Sequence, residues 1–258
     1  MKKFLITICA CICIVGVAIA ETLNVTWYNT DGTTYDTTTC TVGGTLTLPS
    51  NPTRYGYTFL GWAIYTPIEY LESTGTQAID TGIKFSGPNA RVVIKFALTN
   101  GSGTTTLSGA EYYQNGWVFV PQVNNNSVRF FHHSTCDGCG SMPLEANRIY
   151  VLDMQQQNGY FKVLLDDIEK INQQNPNIST TAATYSLFAD KYSNGSYTAK
   201  SRQKIYHAQI YDNGTLVRDM IPVLDPDGIP CMYDKVSATF FYNAGTGNFI
   251  AGPVVGSE

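Results

Sequence analysis

The sequence predicts an all-β protein whose main domain is a sandwich or jelly roll of two packed sheets. Short segments alternate apolar and polar residues, as strands with one buried face do. Asn-Gly pairs, which favour the tight turns of β-hairpins, separate several of these segments. Charged residues make up only 14% of the chain, and charge-rich helical segments are nearly absent. Many short strands joined by such turns indicate a sandwich rather than a βαβ sheet.

Residues 1–20 are predicted to be a secretory signal peptide. Lys2 and Lys3 precede an uncharged apolar run of 17 residues that ends at Ala20. Ala18-Ile19-Ala20 supplies the small residues that signal peptidase needs, so the mature chain is expected to start at Glu21. An uncleaved membrane anchor and a lipid anchor at Cys11 are the alternatives. We expect a mature protein without a membrane span, located in the periplasm, at the cell surface or outside the cell.

The composition of the mature chain limits its partners. Removal of Lys2 and Lys3 leaves 14 basic against 20 acidic side chains, a net charge of −6. Nucleic acids and anionic membranes demand clustered Lys and Arg, so neither is expected as a partner. The mature chain keeps four cysteines, which are Cys40, Cys136, Cys139 and Cys231. Four are too few for a disulfide framework in a chain of this size, so a hydrophobic core must stabilise the fold.

Residues 21–65 are predicted to form a small separate unit. Leu23, Val25 and Trp27 alternate as in a strand, and so do Leu46 and Leu48 before the prolines at 49 and 52. The segment LPSNPTRYGYTFLGW, residues 48–62, resembles the Listeria–Bacteroides repeat, the internalin-B-type B repeat. The resemblance implies a β-grasp-like fold, but the usual last strand is missing or borrowed from the junction. The unit is therefore expected to dock onto the domain that follows.

Residues 66–253 are predicted to form the main domain, followed by a tail at 254–258. One segment, Asp166 to Gln174, is a candidate for a short helix before Pro176. The other segments alternate as strands. The residues expected to share a face within each strand are Val92, Ile94, Phe96 and Leu98; Tyr150, Leu152 and Met154; Phe161, Val163 and Leu165; Tyr206, Ala208 and Ile210; and Phe240 with Tyr242.

Two segments at the ends of this domain carry a family resemblance. EYLESTGTQAIDTG begins at Glu69, and LVRDMIPVLDPDGIPCMYDKVSATFFYNAGTGNFIAG ends at Gly252. Together they resemble the opening and closing strands of a concanavalin A-like (laminin-G-like) jelly-roll domain of bacterial and phage surface proteins. The resemblance implies that the first and last strands lie close together. It does not imply a ligand, because this fold hosts lectins, glycanases and inert spacers alike.

The segment HHSTCDGC, residues 132–139, contains the one local cluster of metal-ligand residue types. We expect a local disulfide between Cys136 and Cys139, with the histidines solvated at the end of a strand. Free thiols, or a metal held by His132 with the two cysteines, are the alternatives. By the family resemblance, Cys231 is expected to be a buried small residue. Asp225-Pro-Asp227-Gly228 is expected to be a turn, with calcium binding as the alternative.

The pattern of acidic residues in the sequence predicts no enzyme. Retaining glycosidases need two carboxyl groups about 5 Å apart, and no strand carries acids at alternate positions to supply them. Trp117, Tyr112 and Tyr113 lie in a hairpin segment and are candidates for stacking on sugar rings, or else for filling the core. We therefore expect a secreted, non-catalytic binding or adhesion protein that recognises a glycan or surface polymer without a cofactor. A secreted glycan hydrolase and a structural surface subunit are the alternatives.

Overall fold

The computed structural model describes residues 2–9, 22–28, 34–41, 44–53, 55, 57–99, 104–111, 117–124, 127–133, 142–174 and 179–255. Every regular secondary-structure element among these residues is a β-strand, which confirms the predicted all-β class. Within the same residues, no helix is long and apolar enough to cross a membrane.

The amino-terminal unit contains a four-stranded sheet. Its strands are β1 (Lys2–Cys9), β2 (Thr22–Tyr28), β3 (Thr34–Thr41) and β4 (Tyr57–Ile64), in the order β3-β2-β1-β4. Val25 and Trp27 are buried, as their alternation predicts, and Trp27 Nε1 donates to Thr38 Oγ1 at 2.7 Å. The strand predicted at Leu46 and Leu48 is wrong, since residues 45–53 form no strand and Leu48 is 52% exposed. Prolines at 49 and 52 deny this segment two ladder donors.

Strand β1 lies within the segment that the sequence predicts to be removed. It pairs antiparallel with β2, where Ile8 lies opposite Trp27, and parallel with β4, where Phe4 lies opposite Phe59. The amino terminus thus supplies the strand between β2 and β4. Cleavage after Ala20 stays a prediction, and it would take β1 out of this sheet.

The main domain is a jelly-roll sandwich of two sheets. The larger sheet contains β5 (Thr66–Pro67), β6 (Leu71–Thr74), β9 (Ala90–Leu98), β15 (Tyr150–Gln157), β16 (Tyr160–Leu165), β17 (Ile168–Gln174), β22 (Arg202–Asp212), β23 (Thr215–Leu224), β24 (Pro230–Asp234), β25 (Thr239–Phe241) and β26 (Ile250–Ala251). Its main path runs β17-β16-β15-β9-β22-β23-β24-β25, while β5 pairs with β23, and β6 pairs with β22 and β26.

The smaller sheet packs against the larger one. It contains β7 (Ile79–Asp80), β10 (Thr104–Thr106), β11 (Ser108–Glu111), β12 (Trp117–Asn124), β13 (Ser127–His133), β14 (Met142–Pro143), β19 (Ser186–Leu187), β20 (Asp190–Lys191) and β21 (Tyr197–Thr198). Its main path runs β14-β13-β12-β11-β19-β7. A separate pair joins β8 (Ser86–Gly87) to β18 (Ser179–Thr180).

The core lies between the two sheets. The alternation in the sequence predicts most of the core residues that the larger sheet supplies. The predicted inward sets of β9, β15 and β16 are all buried, with Leu165 the most exposed at 7%. Removing these apolar side chains from water is the main force that holds the sheets together. Asn158-Gly159 and Asn213-Gly214 have positive φ at both residues and form the predicted hairpin turns.

Strand β22 departs from the predicted alternation. Its pairing with β9 shifts register between Ile205 and His207, which marks a β-bulge. Ile205, Ala208 and Ile210 are consequently buried, whereas Tyr206 is only half-buried. The prediction that Tyr206 shares the inward face is wrong, because the extra residue of a bulge changes the phase of the strand.

The short helix predicted from Asp166 to Gln174 is also wrong. Asp166 and Asp167 have φ of 51° and 61°, and they form the two-residue turn that joins β16 to β17. Asp tolerates positive φ better than most residues, because its short side chain can bond locally. Asp166 Oδ1 accepts the backbone N–H of Val151 at 2.9 Å.

The two ends of the main domain meet, as the family resemblance implies. β26 pairs with β6, with Ala251 opposite Leu71. Gln77 is 1% exposed, and its Oε1 accepts the Ser73 hydroxyl while its Nε2 donates to the carbonyl of Asn248 at 2.8 Å. Gly245 passes so close that a Cβ there would lie 2.3 Å from the carbonyl oxygen of Thr76. The last strands therefore close the sandwich over the first.

Candidate functional site

The aromatic hairpin predicted to contact sugars lies mostly outside the described residues. Tyr112 and Tyr113 are not described, and Trp117 is described only as the first residue of β12. Phe119, which alternation places on the same face as Trp117, is fully buried, and a register shift separates Trp117 from Val120. Phe119 itself has a positive φ of 51°. The assignment of these aromatic residues to a ligand stays a prediction.

His132 lies in the core and not at a solvated strand end. It is 0% exposed, and its ring stacks on Phe161 at 4.6 Å and on Phe119 at 4.8 Å. The solvated position predicted for His132 is therefore wrong, because the strand turns this ring inward between two phenyl groups. Cys136 and Cys139 lie outside the described residues, so their disulfide stays a prediction. Among the residues that are described, no cluster of metal-ligand side chains is present.

Asp225-Pro-Asp227-Gly228 forms the predicted turn, with Gly228 at a φ of 78°. Asp225 is buried, and its Oδ1 accepts the backbone N–H groups of Asp227 and Ile229. Its Oδ2 accepts the hydroxyl of Tyr242 at 2.8 Å. Burial and this hydrogen bond raise the pKa of Tyr242 to about 12. The Asp225 carboxylate thus stabilises the turn through these hydrogen bonds. This is a structural role for a residue that the sequence offers as an alternative calcium ligand.

Cys231 and Cys40 are free in the described part of the chain. Cys231 is 0% exposed, and burial raises the pKa of its thiol to about 12. It packs on the outer side of the larger sheet with Tyr65, Val223 and Tyr233. The thiol therefore acts as a small apolar side chain, as the resemblance implies.

The outer face of the larger sheet carries a set of polar and aromatic side chains that we call the polar face. Most of its members are half-buried, and they project from neighbouring strands on the side opposite the core. They are Tyr70, Glu72, Arg91, Lys95, Asp153, Gln155, Lys204, Tyr206, His207, Gln209, Tyr211, Asp219 and Lys235.

One end of the polar face is an aromatic pair bordered by lysines. The rings of Tyr70 and Tyr206 meet edge to face at 5.5 Å. Lys204 Nζ lies 4.2 Å from the centre of the Tyr70 ring, and Lys95 Nζ lies 5.9 Å from that of Tyr206. The bulge in β22 is what turns Tyr206 outward, and burial raises its pKa. This end combines flat apolar rings with cations able to donate hydrogen bonds.

The centre of the polar face is organised by Asp219. His207 Nε2 lies 2.6 Å from Asp219 Oδ1, and Lys235 Nζ lies 2.8 Å from Oδ2. Gln209 donates to the same Oδ1 at 3.3 Å. The carboxylate holds the imidazole and the amide in place between the aromatic ends.

The other end is fixed by a two-bond ion pair. Arg91 donates to Asp153 through Nε at 2.9 Å and Nη2 at 2.6 Å, and this hydrogen bonding raises the pKa of the guanidinium. The guanidinium carbon lies 5.4 Å from the centre of the Tyr211 ring, and Gln155 also donates to Asp153. Such a paired guanidinium keeps a fixed orientation.

Asp219 at the centre of this face and Asp153 at its Arg91 end are far apart. Asp153, Val93, Gln209 and Asp219 lie on one line across four neighbouring strands. Three strand spacings separate the backbones of Asp153 and Asp219 by about 14 Å. That exceeds the roughly 5–9.5 Å between the two carboxyl groups of glycosidases.

A second ionic cluster ties three strands of the smaller sheet. Lys191 donates to Asp80, and also to Thr184 Oγ1 at 2.7 Å, while the Tyr197 hydroxyl lies 3.3 Å from Asp80. Burial acts to raise the pKa of Asp80, but the hydrogen bonds from Lys191 and Thr184 outweigh it and lower that pKa. The cluster satisfies its charges internally, which is typical of a structural tie.

The sequence predicts strand β22, but it does not predict that the outward face of this strand belongs to a binding site. His207, Gln209 and Tyr211 occupy alternate positions, so the polar side of the strand was visible as a pattern. The partners of these residues come from strands that are distant in the chain, and the order of strands in a sheet is not encoded in one segment.

Replacing Asp219 by Asn is expected to change how stability depends on acid. Burial acts to raise the pKa of this carboxyl, but hydrogen bonds from His207 and Lys235 outweigh it and hold the pKa at about 2, against an ordinary 3.8. Because the folded pKa is the lower one, the stabilisation is complete above about pH 5 and is lost as pH falls through 2. The difference corresponds to about 2 kcal/mol.

Urea unfolding of the wild type and Asp219→Asn between pH 2 and pH 6 measures this. The stability gap between the two proteins should shrink as the pH approaches 2. Asp227→Asn, at an exposed carboxylate, is the matched control and should show little gap at any pH. A gap for Asp219→Asn that stays constant with pH would contradict the assignment.

Comparisons with known proteins show what parts of the chain are similar to. A family model for the Listeria-Bacteroides repeat domain matches residues 24–89, which include the first strands of the sandwich. No curated protein matches the chain in sequence. A candidate carbohydrate-binding protein from Bacteroides ovatus ATCC 8483 is similar in structure, at 10% identity and a TM-score of 0.51. That match covers 93% of this chain and 71% of the other.

Two further solved structures match less closely. A heptameric SAP-like pentraxin from Limulus polyphemus has 7% identity and a TM-score of 0.47, over 74% of this chain and 95% of the pentraxin. The alginate lyase AlgAT5 of polysaccharide lyase family 7 has 11% identity and a TM-score of 0.36, over 52% of this chain and 62% of the lyase. This chain therefore combines a segment matching the Listeria-Bacteroides repeat domain with a jelly-roll sandwich of the concanavalin A-like kind.

Proposed function

We propose that this protein is exported and binds a glycan or surface polymer, without turnover, through the polar face. The observation that carries the proposal is the composition of that face. Aromatic rings lie at both ends, and amide, imidazole and ammonium groups lie between them. Sugar rings present apolar faces that stack on aromatic side chains and hydroxyl groups that bond to such polar groups.

The fixed geometry of the polar groups supports binding. Arg91 and Asp219 each make two or more hydrogen bonds or ion pairs with their neighbours, so the side chains around them are ordered before a ligand arrives. Groups ordered in advance lose less entropy on binding. Gln209 and His207 are half-buried and lie beside the outward Tyr211, where a ligand on the surface can reach them.

The spacing of acids supports a non-catalytic role. The backbones of Asp153 and Asp219 are about 14 Å apart across the sheet, and each carboxylate is engaged by a cation. Hydrolysis of a glycosidic bond needs two acids that flank one bond. The polar face supplies aromatic rings and amides where a hydrolase would supply paired acids.

Export to an envelope or extracellular location is the second part of the proposal. It is supported by the basic start, apolar run and Ala18-Ile19-Ala20 of the predicted signal peptide. The match to the Listeria-Bacteroides repeat domain and the similarity to a candidate carbohydrate-binding protein agree with such a role. A surface location would place the polar face where polymers are met.

The test is a glycan array probed with protein recovered after export, whose first residue is expected to be Glu21. We expect selective binding to one class of glycan. Tyr211→Ala and Gln209→Ala should each weaken that binding about tenfold or more, which is about 1.4 kcal/mol. Tyr55→Ala, at a fully exposed tyrosine of the amino-terminal unit, is the matched control and should bind as the wild type does.

Three outcomes would contradict parts of the proposal. Release of reducing ends or unsaturated products from the bound glycan would favour the enzyme alternative. Absence of binding to any glycan or matrix polymer would favour a structural surface subunit. Loss of binding in Trp117→Ala or Tyr113→Ala, with Tyr211→Ala unaffected and all variants folded, would move the site to the aromatic hairpin.

A further inference from the structure

We propose that the ligand of the polar face is a linear polysaccharide that lies along β22 and is held at two aromatic positions. This inference rests on the proposed function and specifies its ligand. The first position is Tyr206 with Tyr70, and the second is Tyr211. The ligand class follows from the spacing, the surroundings and the openness of these positions.

The spacing of the two positions exceeds a single sugar ring. Tyr206 and Tyr211 are five residues apart on one strand, but the bulge shortens this span to between four and five steps of about 3.3 Å, so the two residues lie about 15 Å apart. A terminal monosaccharide can contact one position, whereas a chain of several units can contact both. Contacts on one chain act together, since the second contact forms without a further loss of translational freedom.

The bulge in β22 creates the first position. A regular strand would alternate, and Tyr206 would then point to the core with Ala208 and Ile210. The register shift between Ile205 and His207 places Tyr206 and His207 on the outer face together. Bulges often re-aim a side chain at a functional site. Here the bulge adds a second outward aromatic ring to a strand that already presents Tyr211.

The surface between the positions combines polar side chains with one aliphatic residue. Val93, which lies opposite Gln209 and Asp153, forms a short aliphatic floor. Gln209 and His207 line one side of it and are held by Asp219. Lys95 borders the floor at the Tyr206 end, and Arg91 borders it at the Tyr211 end. An open track of this kind admits a chain from either end and does not select a chain terminus.

The two ends of the track are chemically different, so the ligand has a direction. The Tyr206 end presents the exposed ammonium group of Lys95. At the Tyr211 end the guanidinium of Arg91 is already bonded twice to Asp153. A polysaccharide has distinct reducing and non-reducing ends, and it can match this asymmetry.

The experiment measures affinity against chain length for the full exported protein. Size-fractionated oligomers of two, four, six and eight sugars are used, prepared from cellulose, laminarin, chitin and alginate. We expect affinity for the bound class to rise at least about tenfold between two and six sugars. Tyr206→Ala and Tyr211→Ala should each remove this gain, while Tyr206→Phe, which keeps the ring, should retain it. Melting temperatures verify that each variant folds.

The outcomes separate this inference from the proposed function. If no oligomer or parent polysaccharide binds at any length, the proposed function fails and this inference fails with it. If a disaccharide binds as tightly as a hexasaccharide, the proposed function stands and the two-position track is overturned. If Tyr206→Ala keeps the full gain with length, the first position is overturned. Binding of extended peptides in place of all the oligosaccharides would overturn the ligand class.

Discussion

A chain that ends at Ala238 is expected not to fold. It would lack β25 and β26, and with them Phe249, which is 5% exposed and packs on Phe188 at 4.9 Å. Gln77 would lose its bond to Asn248, and β6 would lose its pairing with β26. Removing one buried Phe side chain costs about 3–5 kcal/mol, and whole domains are stable by only about 5–15 kcal/mol. The combined loss of these contacts is expected to exceed the free energy of unfolding of the domain.

Circular dichroism and thermal melting of the truncated chain measure this effect. A chain ending at Val255, which keeps both terminal strands, is the matched control and should melt cooperatively like the full protein. A chain ending at Ala238 that is soluble and melts cooperatively would show that the closing strands are dispensable and that the predicted domain boundary is wrong.

Replacing His132 by Ala is expected to destabilise the fold by about 3–5 kcal/mol, the range measured for large aromatic residues cut back to Ala in cores. The ring lies between Phe119 and Phe161, and its removal leaves a cavity that both phenyl groups border. Urea unfolding gives the change in stability. His207→Ala, at a half-exposed histidine, is the control and should cost clearly less.

The same variant separates the core role of His132 from a metal role. If the ring only fills the core, chelators should leave the unfolding midpoint of the wild type unchanged. One zinc per chain in the wild type, lost together with stability in His132→Ala, would instead assign the ring to a metal site with Cys136 and Cys139. Stability equal to the wild type would contradict both roles.

The alternation of apolar and polar residues predicts the buried faces of the regular strands. Val92, Ile94 and Phe96 are buried because a strand places every second residue on one face. The prediction fails where a bulge changes the phase, as at Tyr206. It also fails between Asp166 and Gln174, where a short helix is predicted but the pair Asp166-Asp167 makes a hairpin turn between two strands.

The site depends on information that one strand does not contain. His207, Gln209 and Tyr211 form a polar row in the sequence, but Asp219, Arg91 and Asp153 join them only through the order and register of four strands. The burial of His132 was equally hidden, because His132 and His133 are adjacent and only the sheet decides which ring turns inward. Sequence alone therefore finds the strands more readily than the surface that they assemble.

The junction between the two units has a mechanical consequence. Tyr65 is the single residue between β4 and β5, and it is 2% exposed, with its ring 4.6 Å from that of Tyr233. The other buried members of its cluster, Val223, Cys231 and Tyr233, all belong to the larger sheet, and Thr66 and Pro67 pair with β23 directly after it. The chain is therefore fixed to the larger sheet one residue after β4 ends. A pulling force on the amino-terminal unit would enter the main domain through Tyr65 and β23, in the same sheet that carries the polar face.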